Sequence, residues 1–179
     1  MIRRSAMLDP ANISVSETLR SGQDVEIRSQ RPQDRKDLEA ALARMSDESL
    51  RRRFFGAKRT FAEKEAEHFL DTDFVNHVAL VAVVDEGGKQ AIVGAGRYVA
   101  VQPGQAEVAF GVVDQFQGQG LGGALLRELA DVARHAGINE LIAEVLGSNL
   151  AMLKVFEKSG LRMTKTREGP VIHVTLKFA

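Results

Sequence analysis

The chain has 179 residues, no cysteine, and 24 basic side chains balanced by 24 acidic ones. That length suits one domain with a sizeable core, and the charge balance leaves no global field to hold nucleic acid or an anionic membrane. No segment approaches the roughly 18 apolar residues of a membrane helix, the N-terminus lacks a signal-peptide core, and without cysteine there are neither disulfides nor a thiol nucleophile, so a cytoplasmic setting is expected.

Residues 1–23 are polar and non-periodic, bracketed by Asp9-Pro10 and Ser21-Gly22. They read as a flexible extension ahead of a domain over 24–179. Val25-Glu26-Ile27-Arg28 alternates as a short strand, and Arg31-Pro32 opens a helix carrying Leu38, Ala41, Leu42 and Met45. Ser46 caps a second helix with Leu50, Phe54 and Phe55 on its inner side, and Thr60-Phe61-Ala62-Glu63 is a capping box for a third. Residues 77–102 read as a hairpin turned at Glu86-Gly87-Gly88-Lys89, and Gln102-Pro103-Gly104 turns into a third strand ending at Val113. After a helix from about Ala124 come a strand over 141–146, a helix over 150–159 and a final strand pair around Lys165 and 171–176. The expected class is α/β, a mixed sheet with helices on both faces.

The run Phe110-Gly111-Val112-Val113-Asp114-Gln115-Phe116-Gln117-Gly118-Gln119-Gly120-Leu121-Gly122-Gly123 joins an apolar strand to a helix through glycines. Glycine lets backbone N–H groups converge on an anion at the positive end of a helix, so the expected ligand is a phosphate, most simply a pyrophosphate. Gly118, Gly120 and Gly123 formally satisfy the dinucleotide fingerprint G-x-G-x-x-G, with Glu144 about twenty residues on. That fingerprint belongs after the first strand of its unit, whereas several strands precede it here, and Glu144 lies inside a strand.

Gln-x-x-Gly-x-Gly fits better and occurs twice, from Gln115 and from Gln117. With the preceding Val-Val and following Leu-Leu, it resembles motif A of the GNAT superfamily of N-acetyltransferases. The stretch Gly147-Ser148-Asn149-Leu150-Ala151-Met152-Leu153 with Phe156-Glu157-Lys158-Ser159-Gly160-Leu161 resembles motif B. The likeness spans about Val25 to Lys177. It implies a central, mostly antiparallel sheet with a bulge and splay at the acetyl-CoA site. It implies pyrophosphate binding by Gln117, Gly118, Gln119, Gly120, Leu121, Gly122 and Gly123, cofactor contact by Asn149, and pantetheine pairing and an oxyanion donor at Val112 and Val113. Asn149 is equally placed to cap the helix at Leu150.

Transfer to an amine needs a base, because at neutral pH only about a thousandth of lysine is the free amine. Glu107 shares a strand face with Ala109 and Gly111, and partial desolvation there is expected to raise its pKa. The alternative is an ordinary half-exposed strand glutamate; the resemblance of Ala-Glu-Val-Ala-Phe to the strand bearing the base in related protein acetyltransferases favours catalysis. Glu144 is the runner-up. Many relatives place a tyrosine acid where this chain has Phe156, and the only tyrosine is Tyr98, so the general acid stays unassigned. The histidines His68, His77, His135 and His173 lack metal-ligand spacing, and no metal is expected. Arg51-Arg52-Arg53 reads as a solvated helix end, or as a contact for an acidic partner surface.

Four further segments resemble bacterial Pat-type protein lysine acetyltransferases: Arg31-Pro32-x-Asp34, Met45-Ser46-x-Glu48-Ser49-Leu50-x-x-Arg53-Phe54-Phe55, Ala106-Glu107-Val108-Ala109 and Val145-Leu146-x-x-Asn149-x-x-Met152-Leu153. This resemblance implies an acceptor lysine on a protein such as an acyl- or acetyl-CoA synthetase, and without a cysteine to carry the acyl group direct attack in a ternary complex is expected. Relatives often carry an extra regulatory domain, for which 179 residues leave no room, so a stand-alone catalytic domain without a fused sensor is expected. A small-amine acetyltransferase with a closed, acid-lined pocket over Glu107, and a non-catalytic acetyl-CoA sensor, are the alternatives.

Overall fold

The computed structural model describes residues 8–54, 67 and 69–178. Among these lie strands β1 (Ser14–Thr18), β2 (Asp24–Ser29), β3 (His77–Glu86), β4 (Lys89–Gln102), β5 (Gln105–Val112), β6 (Glu140–Leu146), β7 (Arg162–Glu168) and β8 (Val171–Lys177). The helices are α1 (Arg35–Ala43), α2 (Asp47–Phe54), α3 (Leu121–His135) and α4 (Leu150–Glu157). The strands form one mixed sheet in the order β1-β2-β3-β4-β5-β6-β8-β7. Every neighbouring pair is antiparallel except β5 and β6, which run parallel and are linked through α3.

The sheet is covered unevenly, as the side-chain pattern requires. In β3 the first eight residues are all buried, the run expected of a strand with both faces packed. In α3 the buried Leu121, Leu125, Leu129 and Val132 recur at helical spacing and turn one stripe onto the sheet. Gly94 and Gly96 of β4 lie under this helix. A Cβ at Gly96 would stand 2.7 Å from Phe110 Cδ1 and 3.0 Å from Leu129 Cδ1, so only a bare backbone admits the contact. The opposite face of β4 and β5 meets α1 and α2: a Cβ at Gly111 would lie 3.6 Å from Arg53 Cγ and 3.8 Å from Met45 Cε.

Most elements fall where the sequence places them; one differs. Residues 14–18, read as part of a flexible extension, form the edge strand β1, paired in register with β2 from Ser14↔Arg28 to Thr18↔Asp24. The capping box Thr60–Glu63 lies outside the described residues. The bulge expected at the acetyl-CoA site falls on β4, where the register with β3 slips between Ala82 and Val83 and leaves Val93 unmatched, its O accepting from Val113 N–H just past β5. The splay is present beside it: β5 and β6 pair only from Gln105↔Glu140 to Glu107↔Ile142, after which the strands diverge.

Candidate active site

The divergence of β5 from β6 leads straight into the glycine loop. A 3-10 turn over Asp114–Phe116 follows β5, and the chain then passes Gly118 (φ +74°) and Gly120 (φ +93°) before entering α3. A Cβ at either glycine would meet no atom within 4 Å, so the left-handed backbone, not crowding, selects glycine. Gly120 offers α3 no side-chain cap, and the first helical return is Ala124 N–H to Gly120 O at 3.1 Å. The N–H groups of Leu121, Gly122 and Gly123 are therefore the orphan donors of the helix end, where the helix dipole is also positive.

The loop is braced from α2. Gln117 Nε2 donates to Ser49 Oγ (3.1 Å) and to Val112 O (3.0 Å), while Ser46 Oγ accepts from Ser49 N–H at 3.1 Å and caps the helix. Asp114 Oδ1 accepts from Ser46 N–H at 3.0 Å. Burial alone would raise the Asp114 carboxyl, but hydrogen bonds from Ser46 and Ser49 hold it below its ordinary value. Gln119 Nε2 donates to Gln115 O at 3.1 Å. Arg20, which sequence reasoning left in the extension, reaches the loop from the turn after β1: its N–H donates to Gln119 O (3.2 Å) and its Nη1 to Gly118 O (3.4 Å). No local pattern around Arg20 signals this; β1 has to form first.

The loop and α3 line a long cleft that continues to Gly111 and Val112 on one side and to Asn149 and Met152 of α4 on the other. Among the described residues its lining holds seven cations (Arg20, Arg52, Arg53, Arg127, Arg134, Lys154 and Lys158) against one carboxylate, Asp131. A chain with no net charge thus concentrates positive potential in one place. Arg52 Nε is buried there without a hydrogen-bond partner. Orphan N–H groups, left-handed glycines and surplus cations fit an extended ligand bearing phosphates.

Val112 and Val113 separate into different roles. Val113 N–H donates to Val93 O at 2.9 Å, so it is spent inside the sheet and cannot serve as the oxyanion donor. The alternation of an antiparallel strand then turns the N–H of Val112 the other way, toward the diverging edge. Asn149 caps α4, its Oδ1 accepting from Met152 N–H at 3.2 Å, and it also lines the cleft; both sequence expectations for it are geometrically compatible.

Glu107 does share its face with Ala109 and Gly111, the face turned to α1 and α2, but its side chain is exposed. The partial desolvation expected for it is absent. At a strand rise of about 3.3 Å per residue, its Cα stands about 16 Å from that of Val112. Its electrostatic neighbour is Arg53, a half-buried guanidinium on the α2 side. Burial pushes Arg53 down to about 10, with Glu107 opposing the shift. Glu144 is exposed on β6 and stands opposite His173, Nδ1 to Oε1 3.6 Å, away from the cleft lining.

Neither aromatic position supplies an acid. Phe156 is buried edge-on against Phe110, with ring centroids 6.2 Å apart. Tyr98 is buried on β4, and burial pushes its hydroxyl up to about 12. His77 sits against Arg97 (2.8 Å), His135 against Asp131 O (2.8 Å) and His173 against Glu168 (3.0 Å). His68 lies outside the described residues. Among the described residues no group of three or more His, Cys, Asp and Glu side chains could hold a metal ion, and no helix is long and apolar enough to cross a membrane.

Comparison with known proteins agrees with this geometry. The family model "Acetyltransferase (GNAT) domain" matches residues 25–162. Acetyltransferase PA5475 of Pseudomonas aeruginosa is 34% identical over 137 residues, 76% of this chain and 74% of that protein. Acetyltransferase Pat of Mycolicibacterium smegmatis is 32% identical over 117 residues, 64% of this chain and 34% of that protein, so the match spans about a third of Pat. The crystal structure of the GNAT domain of S. lividans PAT superposes with a TM-score of 0.82 at 33% identity, covering 92% of this chain and 97% of that one.

Proposed function

The chain belongs to the GNAT acetyltransferases, and from that premise we propose that it transfers an acetyl group from acetyl-CoA to a lysine of a folded protein. The observation that carries this reading is the course of the cationic cleft. It runs from the bare N–H groups of α3 to the diverging edge of β5 at Val112, a phosphate site and a thioester site joined by an extended channel.

In this reading Leu121, Gly122 and Gly123 donate to the pyrophosphate, with Gln117, Gly118, Gln119 and Gly120 shaping the loop and Asn149 bordering the cofactor. The N–H of Val112 donates to the thioester oxygen as it gains negative charge. Glu107 accepts the proton of the attacking amine through intervening water, since its carboxylate stands too far along β5 for direct contact. The amine attacks directly in a ternary complex, because no cysteine can carry the acyl group. With Phe156 in the core and Tyr98 on β4, the departing thiolate takes its proton from solvent.

A protein acceptor is supported by the acceptor side. Arg51, Gly147, Ser148, Arg167 and Pro170 line an open groove between α2 and the last strands. Among the described residues no acid-lined pocket closes over Glu107, the arrangement a small polyamine or aminoglycoside would call for. The likeness to the PAT domain makes an acyl- or acetyl-CoA synthetase the acceptor to try first.

The test offers labelled acetyl-CoA with such a synthetase, and separately with a panel of small amines, to wild type and Glu107→Gln. Label on the synthetase with wild type but not with the variant supports the reading. Label on a small amine alone overturns the acceptor, and binding without any transfer turns the chain into an acetyl-CoA sensor.

A further inference from the structure

The cationic cleft shares Met45, Arg53 and Gly111 with a second, small and partly open cavity between α1, α2 and the facing strand surface of β4 and β5. Its walls are apolar, among them Leu38, Leu42 and Ile92, yet among the described residues two guanidinium groups line it, Arg53 and Arg97, and no carboxylate does. Arg97 is held in place: it donates to Phe69 O (3.0 Å) and Gln30 Oε1 (3.2 Å) and meets His77 Nε2 at 2.8 Å. Arg53 is different. Its ring contact is with Phe54, 4.6 Å from the centroid, and among the described residues it has no hydrogen bond or ion pair. A guanidinium carries five donors; the exposed Glu107 is the electrostatic neighbour of Arg53 but makes no ion pair with it, so beside a second cation and among apolar walls these donors remain open to an anion.

Arg53 is also placed where a donor's acyl chain would point. The thioester carbonyl belongs beside Val112 N–H, and the next residue along β5 is Gly111, whose missing side chain leaves the strand surface open against the stem of Arg53. Carbons beyond the carbonyl would therefore pass over Gly111 into the apolar cavity and end at Arg53.

We propose that this cavity accepts an acyl chain ending in a carboxylate, so that the enzyme takes a dicarboxylic acyl-CoA, malonyl- or succinyl-CoA, in preference to an uncharged thioester of equal carbon number. The inference rests on the reading of the cleft as an acyl-CoA site. The step balances as any aminolysis does: the amine nitrogen forms the amide bond, the carbon–sulfur bond breaks, the amine proton leaves toward Glu107 and CoA departs as thiol. The distal carboxylate stays unchanged as counter-ion to Arg53 and appears on the modified lysine, reversing its charge.

Binding of free CoA, succinyl-CoA and butyryl-CoA, and of malonyl- and propionyl-CoA as a second pair, is measured by calorimetry for wild type, Arg53→Met and Arg53→Lys. A charged hydrogen bond in such a site is worth roughly tenfold to a hundredfold in affinity. The expected result is a preference of at least about tenfold for one charged thioester over its uncharged partner. It falls to near unity in Arg53→Met and is partly kept in Arg53→Lys, each ratio being taken within one protein so that any change in affinity for CoA itself cancels. Equal affinities within both pairs for wild type would overturn the proposal, whether or not the variants fold. So would a preference that survives in a folded Arg53→Met protein. Equal thioester affinities with Arg53-dependent turnover of amino acids would reassign Arg53 to an acceptor carboxylate. Failure of free CoA itself to bind would overturn the underlying reading, a result separable from the others.

Discussion

Arg28 and Asp34 face each other through two nearly parallel hydrogen bonds, Nη1 to Oδ2 at 2.9 Å and Nη2 to Oδ1 at 2.8 Å, with both residues buried. The same Asp34 Oδ2 also accepts from Arg31 N–H at 2.7 Å, so one carboxylate ties β2 to the start of α1. This is the structural reason for the Arg-Pro-x-Asp sequence: the proline starts the 3-10 turn over Pro32–Asp34, and the aspartate closes it.

Removing one partner of a buried, hydrogen-bonded ion pair leaves the other charge uncompensated and costs about 3–5 kcal/mol. Asp34→Ala is expected to lower stability by that order, measured by urea unfolding at neutral pH. Burial alone would raise the Asp34 carboxyl, but the hydrogen bonds from Arg28 and Arg31 and the charge of Arg28 hold it below its ordinary value of 3.8. A depressed folded-state value means the contribution is complete above the unfolded value and disappears as pH falls through the folded one. The melting temperature of wild type should therefore drop in acid below about pH 4, and Asp34→Asn should show a shallower drop from a lower start.

Glu107→Gln is expected to cost about a hundredfold or more in turnover with little change in acetyl-CoA affinity, because a proton acceptor is lost and the cleft is untouched. Steady-state kinetics with parallel binding measurements decide it; a loss of only a fewfold would return Glu107 to the status of an exposed strand residue.

Gly120→Val should abolish CoA binding while sparing most of the fold. A branched side chain at φ +93° strains the backbone by about 1–3 kcal/mol and places carbons where a phosphate must approach the helix end. Calorimetric titration with CoA reads this directly, and unimpaired affinity would remove the phosphate from this loop.

Gly96→Ala probes the core beneath α3. Its new methyl would stand 2.7 Å from Phe110 Cδ1, inside any normal contact, so either Phe110 or Leu129 must shift. A loss of about 1–3 kcal/mol is expected from overpacking. A thermal melt identical to wild type would show that Phe110 and Phe156 repack freely.

The parts of this molecule legible in its sequence are those set by local periodicity. The strands β2 to β6, the glycine turn and the buried stripe of α3 follow from spacing alone, as does the face on which Glu107 lies. β1 was not legible, since Ser14-Val15-Ser16-Glu17-Thr18 has one apolar residue and an edge strand needs only one partner. Choosing between Val112 and Val113 depends on the bulge at Val93, which exists only once β4 has met β3 and β5. The exposure of Glu107 and the isolation of Arg53 likewise depend on how α1 and α2 settle on the sheet. The cationic cleft was hidden by arithmetic: its charges come from β1's turn, α2, α3 and α4, and they cancel in the total.

The short parallel seam between β5 and β6 has a mechanical meaning. Three register positions stitch one plate, β1 to β5, to another, β6 to β8, and past Glu107 and Ile142 nothing in the ladder resists a wedge or a twist between them. A pantetheine-like chain lying along the edge at Phe110 and Val112 would act as a spline, bonding to the first plate while its phosphates are gripped by α3 and its flank rests on α4. Ligand affinity and the stiffness of the joint then become one free energy viewed from two ends, so each tenfold rise in ligand above its Kd should firm the joint by about 1.4 kcal/mol.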